Sequence, residues 1–252
     1  MCLSILVATA AQGADQARTI TISTGEYPPY ASKEFVHFGL VPRIVSEAFA
    51  SENIEVEYRF FPWARSYELS RDGMVDATAY WYYSKERQAD HIYSDPLFED
   101  VIVWFHRKDL DFQWKKLGDL TDYRIGAVNG YTYTPEFYAL IKQGILSVEF
   151  VNRDQLNYRK LVGDRIDAFP ETLDTGLYYI QSNLTPAQAA HITYHPQPFS
   201  KKRTFLLAPR IKPESAELIR AFNRGLARLI ADGRFQQFIS ESRLGGSLPP
   251  IN

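Results

Sequence analysis

Ile20 and Ile22 alternate with threonines along Thr19–Thr24, a period-two pattern that predicts a strand. Gly25-Glu26-Tyr27-Pro28-Pro29-Tyr30 cannot continue it, because two prolines remove ladder donors, so a rigid loop follows. Leu40, Val41, Ile44, Val45, Ala48 and Phe49 recur at helical spacing and predict an amphipathic helix over Gly39–Ser51. Ile54, Val56, Tyr58 and Phe60 alternate with charged residues as a half-buried strand. Pro62-Trp63-Ala64-Arg65 opens a short helix that Gly73 ends, and Val75–Ala79 reads as the next strand. Strong apolar strands are expected around Val101–Phe105 and over Thr204–Ala208. Between them the pattern restarts, with strands at Tyr123–Val128, Ser147–Val151 and Arg165–Phe169. Helices are expected over Thr134–Lys142, with Thr134 as N-cap and Pro135 in the first position, and over Asp154–Val162 and Leu173–Gln181. Pro213–Ala231 is a long amphipathic helix, followed by a last one over Arg234–Glu241 and a tail from Gly245 read as unstructured. Strands alternating with helices imply βαβ units and a largely parallel sheet, hence an α/β fold.

One unit occurs twice. A helix followed by Gly73-Met74-Val75-Asp76-Ala77 is echoed by a helix followed by Gly163-Asp164-Arg165-Ile166-Asp167-Ala168. This predicts two similar α/β lobes. Ligands of such sheets lie outside the carboxyl ends of strands. Those ends fall at Gly25–Tyr30, Tyr80–Tyr83, Asn129–Tyr133 and Pro170–Thr172, and they collect aromatic and charged residues. The densest is Tyr80-Trp81-Tyr82-Tyr83, with Arg87 four residues on. Aromatic faces grip flat or apolar groups, and a guanidinium matches a carboxylate with two parallel hydrogen bonds, as a cleft for a small anion requires. The same residues also read as a core strand and a solvated helix start, and both readings stay open here.

With 45% hydrophobic and 23% charged residues the chain has the balance of an ordinary soluble globular protein. A net charge of −2 gives no basic footprint for nucleic acid. Cys2 is the one cysteine, which rules out an intramolecular disulfide. It lies in an apolar, small-residue-rich start that reads as a secretory signal-like segment over residues 1–17, without the usual basic residues, and export follows from it. His191 and His195 have i, i+4 spacing, but Tyr194 and Pro196 argue against a helix there, so no metal is expected. No phosphate-cradling glycine loop, zincin motif or nucleophile elbow is present, and no cofactor is expected.

In order along the chain stand Glu26-Tyr27-Pro28-Pro29-Tyr30, Phe38-Gly39-Leu40, Gly73-x-x-Asp76-Ala77, Ser84-Lys85-Glu86-Arg87 and Tyr93-Ser94-Asp95-Pro96. Leu117-x-Asp119-Leu120, Ile125-Gly126-Ala127-Val128-x-Gly130 and Ile230-Ala231-Asp232-Gly233-Arg234-Phe235 follow. This series resembles the family 3 periplasmic solute-binding proteins, which deliver amino acids and similar solutes to ABC transporters. The resemblance implies a two-lobe, type II periplasmic-binding-protein-like fold whose lobes are joined by two crossing strands. Lobe one would be residues 18–104 and 204–252, lobe two 105–203. The implied partners are a small-molecule solute and an ABC permease, with the membrane met only through the permease, in the periplasm. By position, Arg87 would clamp a ligand carboxylate, Tyr27 would stack on its body, Trp63 would line the wall, and Thr132 and Tyr133 would offer backbone N–H groups. Tyr80 and Tyr82 fall where the family often has small hydroxyl residues, so the pocket should be more aromatic. Thr172, with Glu171 beside it, stands where the family usually has an aspartate for the α-amino group. Glu171 takes over that role, or the ligand is not an α-amino acid; Glu26 adds a carboxylate at the mouth. Two rivals on the same fold are a cyclohexadienyl dehydratase-like enzyme, with Glu171 or Glu26 as general acid, and a sensing module docked on a receptor.

Overall fold

The computed structural model describes residues 18–244; the signal-like segment and the tail from Gly245 lie outside the described residues. The first part of the chain contains β1 (Arg18–Thr24), α1 (Leu40–Ala50), β2 (Ile54–Phe60), α2 (Trp63–Arg71), β3 (Ala77–Tyr82), α3 (Lys85–Asp90) and β4 (His91–Tyr93). The long β5 (Phe98–Arg107) leads into β6 (Ile125–Val128), α4 (Pro135–Lys142), β7 (Val148–Val151), α5 (Asp154–Val162) and β8 (Ala168–Thr172). Then come α6 (Leu173–Asn183), α7 (Pro186–Ala190), β9 (Ile192–Tyr194), the long β10 (Ser200–Pro209), α8 (Ser215–Ala231) and α9 (Arg234–Leu244).

The main sheet has the order β2-β1-β3-β10-β5-β8-β6-β7, a nearly mirrored sequence of wings about the central pair β10-β5. The wings are parallel, as the alternating pattern predicts. The four central strands β3, β10, β5 and β8 are antiparallel, so the expectation of a largely parallel sheet is corrected at the middle. The ladder also passes unbroken through β5 and β10 instead of ending between two separate sheets.

The cores are nevertheless distinct. One gathers Ile20, Ile22, Ile44, Phe49 and Ala79 with Leu206, Phe222 and Leu229. The other part of the chain buries Trp104, Phe137 and Phe199 on one side of its sheet and Phe105, Tyr158 and Phe169 on the other. Each such side chain, once fully buried, contributes about 1.5–3 kcal/mol. Helices α1 and α8 pack closely: a Cβ on Gly225 would lie 2.0 Å from the Ala48 carbonyl oxygen, so only glycine permits that crossing.

Two strands are shifted from their expected places, and both shifts matter for the site. β3 runs on through Tyr80, Trp81 and Tyr82, which therefore stand in the sheet and not in a loop after it. They pair with β10, with a break in register at Tyr80, whose φ is +72°. β8 likewise continues through Pro170, Glu171 and Thr172. Pro170 is tolerated because β8 pairs with β6 only at Ala168, leaving that edge free farther along.

Candidate functional site

The two lobes meet through hydroxyls on one side and carboxyls on the other. Tyr27, in the loop after β1, is buried, and its hydroxyl lies 2.9 Å from Thr172 Oγ1 and 3.3 Å from Glu171 Oε1. Tyr30 donates to Asp174 at 2.9 Å, and the Tyr82 hydroxyl is 3.4 Å from Thr172 Oγ1. The Tyr27 ring stacks at 6.2 Å with Tyr30, tilts against Tyr80 at 5.8 Å and meets Trp63 edge-on at 6.2 Å. Trp63 in turn packs against Gly25, where a Cβ would approach its ring to 2.4 Å. Of the expected residues, Tyr27, Trp63, Tyr80, Tyr82 and Glu171 are thus brought together.

Asp100, near the start of β5, is the partner of both β3 tyrosines. Tyr80 donates to its Oδ1 and Tyr82 to its Oδ2, each at 2.8 Å. Only 1% of this residue is exposed. Burial pushes its carboxyl up to about 7, although the two phenolic donors favour the ionised form. Sequence pattern does not single it out, since one acid at the edge of an apolar run looks like a strand end.

Across the contact, Glu171 is 3% exposed and receives the Thr172 N–H at 2.8 Å on Oε1. The Asp154 carboxyl, on the first residue of α5, acts on it through its charge, and Asp154 Oδ2 accepts from Tyr131 at 2.8 Å. Counted as two carboxylates, Glu171 Oε2 and Asp154 Oδ1 have no donor. Two buried carboxyls that feel one another's charge resist ionising together. Burial first, and then the Asp154 charge, raise Glu171 well above the usual carboxylate range; burial also raises Asp154. Asp154 looks like an ordinary acidic first turn of a helix, and only the fold shows it facing Glu171.

Two cations occupy another edge. The Arg87 guanidinium is half-buried, stacks 4.8 Å from the Trp81 ring and donates to the Tyr82 carbonyl at 3.2 Å. Lys202, on β10, lies 5.3 Å from the Tyr82 ring and donates to the Thr132 carbonyl. Burial, and then the positive charge of Arg87, push the Lys202 ammonium down to about 8. Among the described residues, neither cation has a carboxylate within 4.0 Å. In sequence Lys202 is hidden in Lys201-Lys202-Arg203, which reads as a solvated charge run. An open groove of about 390 Å³ beside it is lined by Tyr82, Tyr83, Glu99, Phe205 and these three bases. A larger groove of about 540 Å³ around Phe98 and Phe235 has no buried carboxyl in its lining.

Three expected residues stand differently. The Tyr133 side chain is buried in the second lobe's core, its hydroxyl accepts the Val128 N–H at 2.8 Å, and its own N–H is donated to the Tyr138 hydroxyl at 3.2 Å. It therefore offers no free N–H, because α4 starts at Pro135, two residues later, with Thr134 as its N-cap. Thr132 presents its carbonyl, which Lys202 takes. Glu26 is exposed and accepts the Lys33 N–H at 3.2 Å, apart from the tyrosines.

This arrangement of tyrosines, carboxyls and cations between two lobes can be set beside known proteins. A sequence profile of the bacterial extracellular solute-binding proteins, family 3, matches residues 20–242. The chain belongs to that family. No curated protein sequence matches it. Among solved structures, a histidine kinase sensor domain with similarity to periplasmic binding proteins superimposes with a TM-score of 0.74 at 19% identity, covering 90% of this chain and 96% of that one. An ancestral arginine-binding protein bound to arginine gives 0.74 at 18% identity, with 90% and 98% covered. An arginine transport-system periplasmic binding protein from Legionella pneumophila gives 0.71 at 19% identity, with 89% and 99% covered. At these identities the likeness speaks for the fold alone, a two-lobe periplasmic-binding-protein-like fold. Members of this family bind solutes outside the cytoplasm. No helix among the described residues is long and apolar enough to cross a membrane.

Proposed function

We propose that this family 3 protein captures a small carboxylate-bearing solute, an amino acid or a relative of one, between two closing lobes, and passes it to an ABC-type permease in the periplasm. The observation that carries this reading is the pair Arg87 and Lys202, two cations held near one another with no acidic partner within 4.0 Å among the described residues. An arriving carboxylate relieves their repulsion and gains charge-assisted hydrogen bonds. The lobes divide as residues 18–104 with 204–252 against 105–203, and Tyr27 and Tyr82 of one meet Glu171 and Thr172 of the other. Thr132, whose carbonyl Lys202 holds, moves with closure.

The test is a thermal-shift screen of amino acids, polyamines and small carboxylates, followed by calorimetry of the best ligand. A ligand at one hundred times its Kd stabilises the fold by about 2.7 kcal/mol. Arg87→Ala should weaken a carboxylate ligand by about tenfold or more while leaving the circular dichroism spectrum unchanged. Unchanged affinity removes Arg87 from the site. A sensing role is favoured by one observation, the superposition on a kinase sensor domain. It uses the same site and differs in the partner, so stimulation of a cognate permease's ATPase by the loaded protein separates the two. Turnover of prephenate or arogenate would replace both readings with an enzyme.

A further inference from the structure

Past Tyr82 the strand β10 loses its neighbour on one side. Its ladder with β3 ends where Thr204 stands opposite Tyr82, whereas its ladder with β5 runs on to Ser200 opposite Ile102. No strand among the described residues covers the β3 side of Ser200–Arg203. The groove of about 390 Å³ is lined by this bare stretch, with Tyr82, Tyr83 and Phe205 beside it. That volume is within the range of small-molecule sites, about 300–1,000 Å³. Its lining holds three bases and one acid. The acid, Glu99, stands opposite Arg203 in the ladder, but its nearest cation is Lys201, at 3.8 Å. Both side chains of that pair are roughly half exposed, and such a pair holds little. Arg203 has neither an ion pair nor a side-chain hydrogen bond among the described residues. Lys202 donates to the carbonyls of Thr132 and Tyr133, neither of them charged. Arg87, which donates to the Tyr82 carbonyl, carries the positive region on to the other side of Tyr82. Cations gathered with so little acid repel one another, and an anion relieves that repulsion. Between them Tyr83 leaves a large apolar side chain 51% exposed.

We propose that the bare edge of β10 is a second anion site, and that the solute is an elongated diacid: one carboxylate at Arg87 and Lys202, the other at Arg203 and Lys201, and an apolar chain along Tyr82 and Tyr83. The proposal rests on the solute-binding reading above and names the class of solute. Arg203 is the residue that tells a diacid from a monoacid. Its guanidinium takes a carboxylate by two parallel hydrogen bonds and gives up no partner to do so. Lys201 turns from its weak contact with Glu99 to the same carboxylate. The chain covers the exposed Tyr83 ring, so apolar area leaves water as well.

Three probes test this by calorimetry on the whole protein: butanoate, octanoate and suberate, the diacid of the same chain length as octanoate. Suberate should bind about tenfold or more tightly than octanoate. Arg203→Gln should bring suberate to the level of octanoate and leave octanoate and butanoate unchanged. The affinity of suberate should also fall more steeply with added sodium chloride than that of octanoate, since it makes two charged contacts. The salt measurement needs no variant, so it stands even if Arg203→Gln fails to fold. Suberate binding where neither monoacid does supports the second site, provided that Arg203→Gln abolishes it. Butanoate and octanoate binding with suberate no tighter overturns the second site and leaves the carboxylate reading intact. Suberate and octanoate binding equally, both more tightly than butanoate, also overturns it, because the rings alone would then hold the chain. A preference for suberate that survives Arg203→Gln overturns the assignment to this edge. Silence from all three probes overturns the carboxylate reading and the diacid with it.

Discussion

The two lobes repeat one frame and differ in what they hang on it. In the first, the Asp76 N–H donates to the Thr21 carbonyl at 2.9 Å and Asp76 Oδ2 accepts the Thr21 N–H at 2.8 Å. In the second, the Asp167 N–H donates to the Arg124 carbonyl and its Oδ2 accepts the Arg124 N–H, each at 2.7 Å. Each aspartate thus clamps the lobe's first strand to the strand that follows the glycine turn. The first clamp also holds one cation, Lys212 at 2.5 Å, and the second two, Arg124 at 2.7 Å and Arg107 at 3.5 Å. The strands that leave these clamps, β3 and β8, flank the central pair symmetrically. Yet β3 ends in tyrosines and β8 in Glu171-Thr172. One wing therefore presents donors and the other acceptors, and the contact between lobes is made where they meet. The shared part is scaffold, and the difference is where the proposed solute contact lies.

The largest expected effect sharpens this contrast at the hydroxyl side. Asp100 is nearly fully buried with its carboxyl pushed from 3.8 up to about 7. A carboxyl whose folded-state pKa is raised favours the fold while it is protonated, and that contribution is lost as pH rises through about 7. Stability should fall between about pH 4 and pH 7 by up to roughly 4 kcal/mol from this group. Asp100→Asn should therefore be more stable than the parent at pH 8, and its urea midpoint should depend less on pH. The raised Glu171 has the same sign and leaves a residual slope. Parallel pH profiles for parent and variant would remove Asp100 as the main source.

The clamps give the next effects in size. Asp167→Ala should cost about 3 kcal/mol, because it removes the acceptor of three Arg124 hydrogen bonds, from the backbone N–H, Nε and Nη2. Asp76→Ala should cost about 2 kcal/mol, since it removes the acceptor of two hydrogen bonds, from the Thr21 N–H and from Lys212. Urea unfolding measures both. A reversed order would mean that the frame is shared in geometry and not in energetics.

Much of this frame is legible in sequence. The strand–helix alternation, the Thr134 cap before Pro135 and the repeated Gly-x-x-Asp-Ala and Gly-x-x-x-Asp-Ala turns are local signals, and each appears in the structure. The ends of β3 and β8 are not local. Aromatic residues with a left-handed residue at Tyr80, and a proline at 170, read as loop until β10 and β5 supply partners. In the candidate site, Tyr27, Trp63 and Glu171 stand out because unusual residues follow strands. Asp100, Asp154 and Lys202 do not, since each occupies a place where a charge is ordinary. A strand edge, a helix first turn and a basic run give no hint of burial, and burial is what distinguishes them here. Tyr133 shows the opposite failure: a tyrosine at a helix entry suggests a ligand, whereas its ring completes a core.

The smallest effect asks whether donor and acceptor wings meet without a solute. The Tyr27 hydroxyl and Thr172 Oγ1 lie 2.9 Å apart but belong to different lobes. Tyr27→Phe and Thr172→Val each remove one partner and should each cost about 1 kcal/mol. If the contact persists in solution, the double variant should cost less than the sum, with a coupling of about 0.5–1 kcal/mol. If the lobes stand apart until a solute arrives, the single costs shrink and the coupling vanishes, while both variants still weaken the solute. The cycle, run with and without butanoate, therefore separates a contact that belongs to the empty protein from one that a ligand must bring about.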